Sequence, residues 1–267
     1  MYIGRVCFAG ITPDGYPSAS YAISGRRPSS QKRRFVPYWV PTDNRIYVGP
    51  IGEPTDEQKR DAHLIFYNCM RVSGDRLFVT NGAQTDVDMR DGDVMPNFYE
   101  NFGCIPGSDV EPIQANEILS RWGYEHDPPI FTPRIALVNG LGSKALFAIA
   151  ARESDDDPAV YSAQAEISVR NSNAVGLATY QGDETDAIPW RGNDIRKYNL
   201  SRCILQAPIR GSTPDEIRDS LYDYMDPRYV VAAVAAVYDG RRWVISEPKN
   251  RFADVAAFEA YASEAKK

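Results

Sequence analysis

Strand-length apolar segments separated by turn residues constrain this chain more than any other feature. TPRIALVNG (132–140), KALFAIAARE (144–153), AVYSAQAEISV (159–169) and AVGLATYQG (174–182) follow one another with Gly, Asn and Asp between them. The first half has the same character. MYIGRVCFAG and SASYAIS (18–24) flank the turn sequence TPDGYP, and FYNCMRVSGDRLFVTNGAQTD (66–86) reads as strand, turn and strand. FVPYWVP and RIYVGPI carry enough prolines for an edge or an irregular insertion. SRCILQAPI is a further strand, and VVAAVAAVYDGRRWVISEP a hairpin around Asp239-Gly240, although its alanines leave a helix open for the first arm. Connections this short join antiparallel neighbours.

Helical signals are fewer. EPTDEQKRDA (53–62) has Thr55 as a cap, and GSTPDEIRDSLYDYM (211–225) has a Ser/Thr cap, proline in the first turn and early acids. Residues 86–123 are expected to be mostly helical, with an Ile113/Ile118/Leu119/Trp122 stripe ending at Gly123, and RFADVAAFEAYASEAKK is a terminal amphipathic helix. DETDAIPWRGNDIRKYNLS (183–201) is expected to be a loop. No Gly/Ser linker divides the 267 residues, so the expectation is one α+β domain of two antiparallel layers covered by helices.

Composition excludes several function classes. A formal charge of −6 argues against general nucleic-acid binding, which needs a basic surface. The longest apolar run, YVVAAVAAVY (229–238), is too short to span a bilayer, and the amino-terminal stretch has no signal-peptide core. The four cysteines (Cys7, Cys69, Cys104, Cys203) form no CxxC pair and there are two histidines, so a metal centre is not expected; free thiols in a reducing cytoplasm are.

Against the acidic background one basic stretch stands out. SGRRPSSQKRR (24–34) places five Lys/Arg in the nine residues from Arg26 to Arg34. Guanidinium forks suit phosphate or carboxylate, although a charge run is more often a solvated loop. The hairpin has its own local explanations: Asn81-Gly82 as a tight turn, Asp86 as the cap of a following helix, Tyr67 and Asn68 as structural groups, Cys69 as a small buried residue. GYEHDPPIFTPR (123–134) sets Glu125 among ring and charged groups, where a carboxylate with a tuned pKa serves as acid or base, or where an exposed loop carries its usual charges. VNGLGSKA (138–145) is a hairpin turn, and no P-loop, GxGxxG or GxSxG is present.

Taken in order, MYIGR, SGRR with the arginines after it, YNCMRV, TNGAQTD, and GYE followed by TPRIAL resemble the archaeal-type IMP cyclohydrolases from Met1 to about Asn139, more weakly beyond. The resemblance implies closure of 5-formamidoimidazole-4-carboxamide ribonucleotide to inosine monophosphate (IMP), the last step of purine synthesis, with no metal or organic cofactor. It implies a four-layer αββα sandwich like that of N-terminal-nucleophile hydrolases, used without an amino-terminal nucleophile. The chain departs from the pattern in its basic loop, in Gln84 where histidine is usual, in Gly123 where aspartate is usual, in an apparent insertion at 35–62, and in a longer carboxyl end.

Site expectations follow from chemistry and motif match. Glu125, Tyr67 and Arg27 are the catalytic candidates, with Glu125 moving protons. Arg26 and Arg27, with Arg33 or Arg34, are expected to bind the 5′-phosphate or the oxyanion. Tyr67 and Asn68 orient the carboxamide and formyl groups, Asn81, Thr85 and Asp86 line the pocket, and Arg134 fixes Glu125 or contacts ligand. The expected partner is a small purine nucleotide, with no nucleic acid and no membrane, and a homo-oligomer is left open. Two rival readings remain: an amide hydrolase with Cys7 or Cys69 as nucleophile, and a non-catalytic purine nucleotide-binding protein.

Overall fold

The computed structural model describes residues 2–40, 43–87, 89–90, 93–103, 114–170, 173–182 and 186–264. Cys104, Ile113 and residues 265–267 of the expected terminal helix lie outside them.

The alternating segments of the first half become strands where the sequence places them. β1 (Arg5–Ile11) and β2 (Pro17–Ser24) form a hairpin. A one-turn helix, α1 (Pro28–Gln31), leads into β3 (Arg33–Val40) and β4 (Asp43–Pro50). α2 (Asp56–Arg60) starts at Thr55, whose hydroxyl accepts the Gln58 amide, and α3 (Ala62–Ile65) follows. β5 (Tyr67–Ser73) and β6 (Arg76–Thr80) are the second hairpin. The stretch after it is less helical than its composition predicts. A small ribbon of β7 (Met89–Arg90) and β8 (Asp93–Val94) precedes α4 (Phe98–Gly103) and α5 (Ala115–Trp122).

β9 (Arg134–Asn139), β10 (Lys144–Arg152), β11 (Val160–Ser168) and β12 (Ala174–Ala178) match the four consecutive segments. The connection expected to be a loop contains α6 (Gly192–Tyr198), whose Ile195 is buried in the core. One apolar anchor among polar residues leaves little periodicity to detect. β13 (Leu205–Ala207) is shorter than expected. α7 (Pro214–Tyr224) begins at the Thr213 cap, and β14 (Val230–Tyr238), β15 (Trp243–Ile245), β16 (Lys249–Asn250) and α8 (Val255–Glu264) complete the chain.

These strands make two antiparallel sheets, β13-β12-β1-β2-β14-β15 with β16 also on β14, and β11-β10-β9-β6-β5-β4-β3. The proline-bearing β3 is an edge, as proline's missing donor requires. The main core lies between the sheets, with Tyr21, Leu177 and Val234 from the first against Ile46, Leu77, Phe147 and Ile149 from the second. Ile217 and Leu221 of α7 pack on the outer face of the first sheet, and Phe98, Ile118, Leu119 and Trp122 of α4 and α5 on that of the second. β14 settles the alternative its alanines left open. Val234 and Ala236 face the inter-sheet core while Ala233, Ala235 and Val237 face α7, so a strand buried on both sides reads as a continuous apolar run.

Register sets the site. Arg5 pairs with Ile23, Val6 with Ala178, Val230 with Ser24, Arg33 with Pro50, Val48 with Tyr67 and Thr80 with Ala136. The starts of β1, β3, β5 and β9 and the ends of β2, β6 and β12 therefore gather at one end of the sandwich. The far end is closed by the Trp243 indole on the Asp75 carbonyl and by Asn139 on the Ser18 carbonyl, each at 2.9 Å.

Candidate active site

A cavity of about 160 Å³ opens at that gathered end. Arg5, Arg26, Arg27 and Arg33 line it, with Tyr2, Ser29, Ser30, Glu125, Asp127, Thr132 and Tyr180 among the other walls. The basic loop thus contributes three of its arginines to one void. Arg33 faces the cavity and Arg34, next along an extended strand, does not. Arg33 is buried, its Nε donates to the Ser30 carbonyl at 2.8 Å, and its Nη1 has no hydrogen-bond partner. Burial, reinforced by the charge of Arg5, pulls Arg33 below the usual guanidinium value. An anion would relieve both conditions. Arg26 lies over the Tyr2 ring at 4.9 Å, while Arg27 is exposed at the start of α1.

Glu125 stands where α5 gives way to the loop before β9. Its amide donates to the Thr132 carbonyl, and its side chain is 1% exposed. Oε2 accepts from Arg5 Nη1 at 2.8 Å; Oε1 is buried without a hydrogen-bond partner, 4.0 Å from Arg134 Nη1. Burial pushes the carboxyl up and Arg5 and Arg134 pull it down, leaving it at about 7. A carboxyl that exchanges its proton near neutrality is suited to acid–base work. Arg5 also reaches the Leu64 carbonyl at 3.3 Å and faces the Tyr67 ring at 6.0 Å. Tyr67 lies behind Arg5 with its hydroxyl 3.0 Å from that of Tyr21, its proton held more firmly by burial against the pull of Arg5 and Arg33.

The hairpin's polar end divides between two jobs. Asn81 ties β6 to β9, donating to the Pro133 carbonyl at 2.9 Å and accepting the Ile135 amide at 2.7 Å. Gln84 accepts from Arg134 at 2.9 Å, so the amide in the usual histidine position holds the arginine beside Glu125. A Cβ at Gly82 would lie 2.1 Å from Arg134 Nη1, so only glycine leaves the guanidinium its place. Thr85 meets the Asn68 carbonyl and the Thr80 hydroxyl.

Asn68 and Asp86 belong to another network. Asn68 donates to Asp86 at 2.9 Å and Arg71 donates to it at 2.8 Å, with the Arg71 guanidinium 3.3 Å from the centre of the Tyr99 ring. Arg71 pairs with Phe78, which packs under α4 and α5, so this cluster sits on the outer face of the second sheet. Asp86 does not cap a following helix, since the next described element is β7; it ends the short 3-10 turn Ala83–Thr85. Its side chain closes the loop onto β5.

Arg5, Tyr180, Thr132 and Asp127 are not among the expected site residues, although all but Tyr180 lie in the MYIGR and GYEHDPPIFTPR segments. Arg5 had a readable signal, a charge at the head of an apolar strand. Tyr180 had none, standing among ordinary polar residues. Among the described residues no group of three or more His, Cys, Asp and Glu could hold a metal, and no helix is long and apolar enough to cross a membrane. Cys7 and Cys69 are buried in the inter-sheet core, and burial pushes the Cys7 thiol up to about 12 and Cys69 well up, away from the thiolate a nucleophile needs.

Residues 2–93 match a family model described as IMP cyclohydrolase-like protein. An IMP cyclohydrolase of Methanocaldococcus jannaschii is 25% identical over 240 residues, 90% of this chain and 95% of that protein. One from Methanothrix thermoacetophila is 27% identical over 197 residues, 72% of this chain and 80% of that protein. One from Methanococcus maripaludis strain C6 is 33% identical over 87 residues, and there the chain spans 39% of the relative's length. Residues 2–93 are thus similar to an IMP cyclohydrolase-like family, and the relatives that align over most of the chain do so at 25–27% identity.

Proposed function

We propose that the protein is an IMP cyclohydrolase, closing 5-formamidoimidazole-4-carboxamide ribonucleotide to IMP with loss of water. The observation that carries the reading is Glu125, buried, held near neutrality and facing a cavity ringed by four arginines, in a chain whose relatives bear that name.

The reaction needs three things. The formamide and carboxamide of one molecule must be held face to face, an orientation effect. In the closing step the carboxamide nitrogen bonds to the formyl carbon and gives a proton to Glu125, and the formyl oxygen gains a proton to become the hydroxyl of a carbinolamine. That hydroxyl then leaves as water as the former formamide nitrogen loses its hydrogen, so atoms balance. Proton transfer of this kind contributes typically ~10²–10⁴-fold. Charge gathering on the formyl oxygen needs fixed donors, which Arg5 and Arg27 supply. Arg26 and Arg33 take the phosphate. Tyr67 acts from behind Arg5. Arg134 holds Glu125, Asn81 and Thr85 support the walls at one remove, and Asn68, Asp86 and Arg34 stand outside the cavity.

We assign the two sheets and their outer helices to the αββα arrangement of N-terminal-nucleophile hydrolases, as a single domain over 1–267 in which 35–62 is an insertion. The substrate is a small purine nucleotide and the reaction a cytoplasmic one.

An absorbance assay tests the reading: protein and the formamido ribonucleotide are mixed without added metal or cofactor, and IMP is followed. Turnover that disappears in folded Glu125→Gln is the expected result. Absence of turnover in the wild type overturns it, and tight IMP binding without turnover would make this a nucleotide-binding protein.

A further inference from the structure

Tyr180 lies outside the motifs, two residues past the end of β12, yet its ring is fixed on two sides. It stacks on Tyr2 with centroids 5.5 Å apart and planes at 22°. On another side Gly4, at φ +70, approaches so closely that a Cβ there would lie 2.4 Å from Cδ2 and 2.5 Å from Cε2 of the Tyr180 ring. The glycine of MYIGR is therefore needed both for its backbone conformation and for the space the tyrosine fills.

The hydroxyl end is fixed as well. Asp127 accepts twice from Thr132, from its amide at 2.7 Å and from its hydroxyl at 2.6 Å. The Thr132 oxygen also lies 3.0 Å from the Tyr180 oxygen. A threonine hydroxyl has one proton. Here that proton goes to Asp127, so toward Tyr180 the Thr132 oxygen can only accept. The Tyr180 proton then points to Thr132, and the free lone pair of the phenol oxygen remains at the wall of a cavity that all three residues line. Burial holds the Tyr180 proton in place.

We propose that Tyr180 is a specificity residue, presenting a hydrogen-bond acceptor that recognises an O–H or N–H donor of the bound nucleotide, with Thr132 and Asp127 as the positioning pair that sets its polarity. The donor is either a ribose hydroxyl or a base N–H. The inference rests on the purine nucleotide reading of the cavity.

Calorimetry on the full chain with IMP and 2′-deoxy-IMP tests it. Tyr180→Phe keeps the ring and removes the acceptor, and IMP binding is expected to weaken roughly tenfold, the worth of one hydrogen bond. Thr132→Val releases the phenol proton into the cavity and weakens IMP similarly, and Thr132→Ser restores it, a rescue that packing alone would not give. If the donor is the 2′-hydroxyl, the wild type discriminates against 2′-deoxy-IMP and Tyr180→Phe does not; if it is another donor, Tyr180→Phe weakens both ligands equally. Either pattern supports the proposal. Wild-type IMP affinity in folded Tyr180→Phe, or in folded Thr132→Val should the phenylalanine variant fail to fold, overturns it while the nucleotide reading stands. A wild type that does not bind IMP overturns both.

Discussion

Glu125, at the cavity end of the sandwich, and Asp86, on the outer face of the second sheet, each carry arginine neighbours, and burial pushes both carboxyls up. Their surroundings then diverge. Asp86 receives Asn68 and Arg71 on one oxygen, with Arg45 at 4.0 Å, and those donors come from β4 and β5 beneath it. Glu125 has one close donor, Arg5 on Oε2, and its buried Oε1 has no hydrogen bond, with Arg134 4.0 Å away. Two close donors on one carboxylate oxygen fix a loop. Leaving one buried oxygen without a hydrogen bond keeps a proton acceptor in hand at a cost in stability. Tyr67 and Asn68, adjacent in sequence, part on the same line, one toward Arg5 and the other toward Asp86.

That contrast is broken most forcefully by Glu125→Gln. Turnover is expected to fall at least ~100-fold with the circular dichroism spectrum unchanged, as loss of a proton-transfer group demands. Asp86→Asn is expected to leave turnover within a few-fold, so equal losses in the two variants would erase the distinction. Arg27→Ala comes next, with kcat/KM expected to fall on the order of tenfold or more as a charge-assisted contact is lost. An unchanged kcat/KM would remove Arg27 from the site.

The pH profile sharpens the same comparison. If ionised Glu125 is the base, kcat rises with pH and levels off above about 7, the value to which burial lifts it. Stability should move the other way. Because the folded carboxyl holds its proton more tightly than the unfolded one, its contribution is full below the ordinary glutamate range and is lost as pH rises through about 7. Urea titrations at pH 5 and 8 check the sign, and Glu125→Gln should flatten the trend. Asp86→Asn should lower stability by about 1–3 kcal/mol, the cost of a disturbed buried polar network. Smallest of all is Cys7→Ala, with turnover expected within twofold; its loss would revive a thiol nucleophile.

Much of the architecture was legible because its causes are local. Thr55 and Thr213 cap helices through bonds spanning three residues, Asp239-Gly240 turns a hairpin, and period-two apolar runs became strands. α6 was missed because its buried face is essentially Ile195, and β14 remained ambiguous until both of its faces were seen to be covered. The motifs supplied Glu125 and the arginine loop, but not which arginine faces inward. That follows from the alternation of β3.

By itself the sequence determined the strand-rich α+β character and the turns and caps, since each depends on residues within a turn or strand of one another. Tertiary structure decided which polar groups share a cavity. Arg5 meets Glu125 across 120 residues and Tyr180 meets Thr132 across 48. Such meetings are set by sheet register and by the packing of one sheet on the other, and no local propensity encodes them.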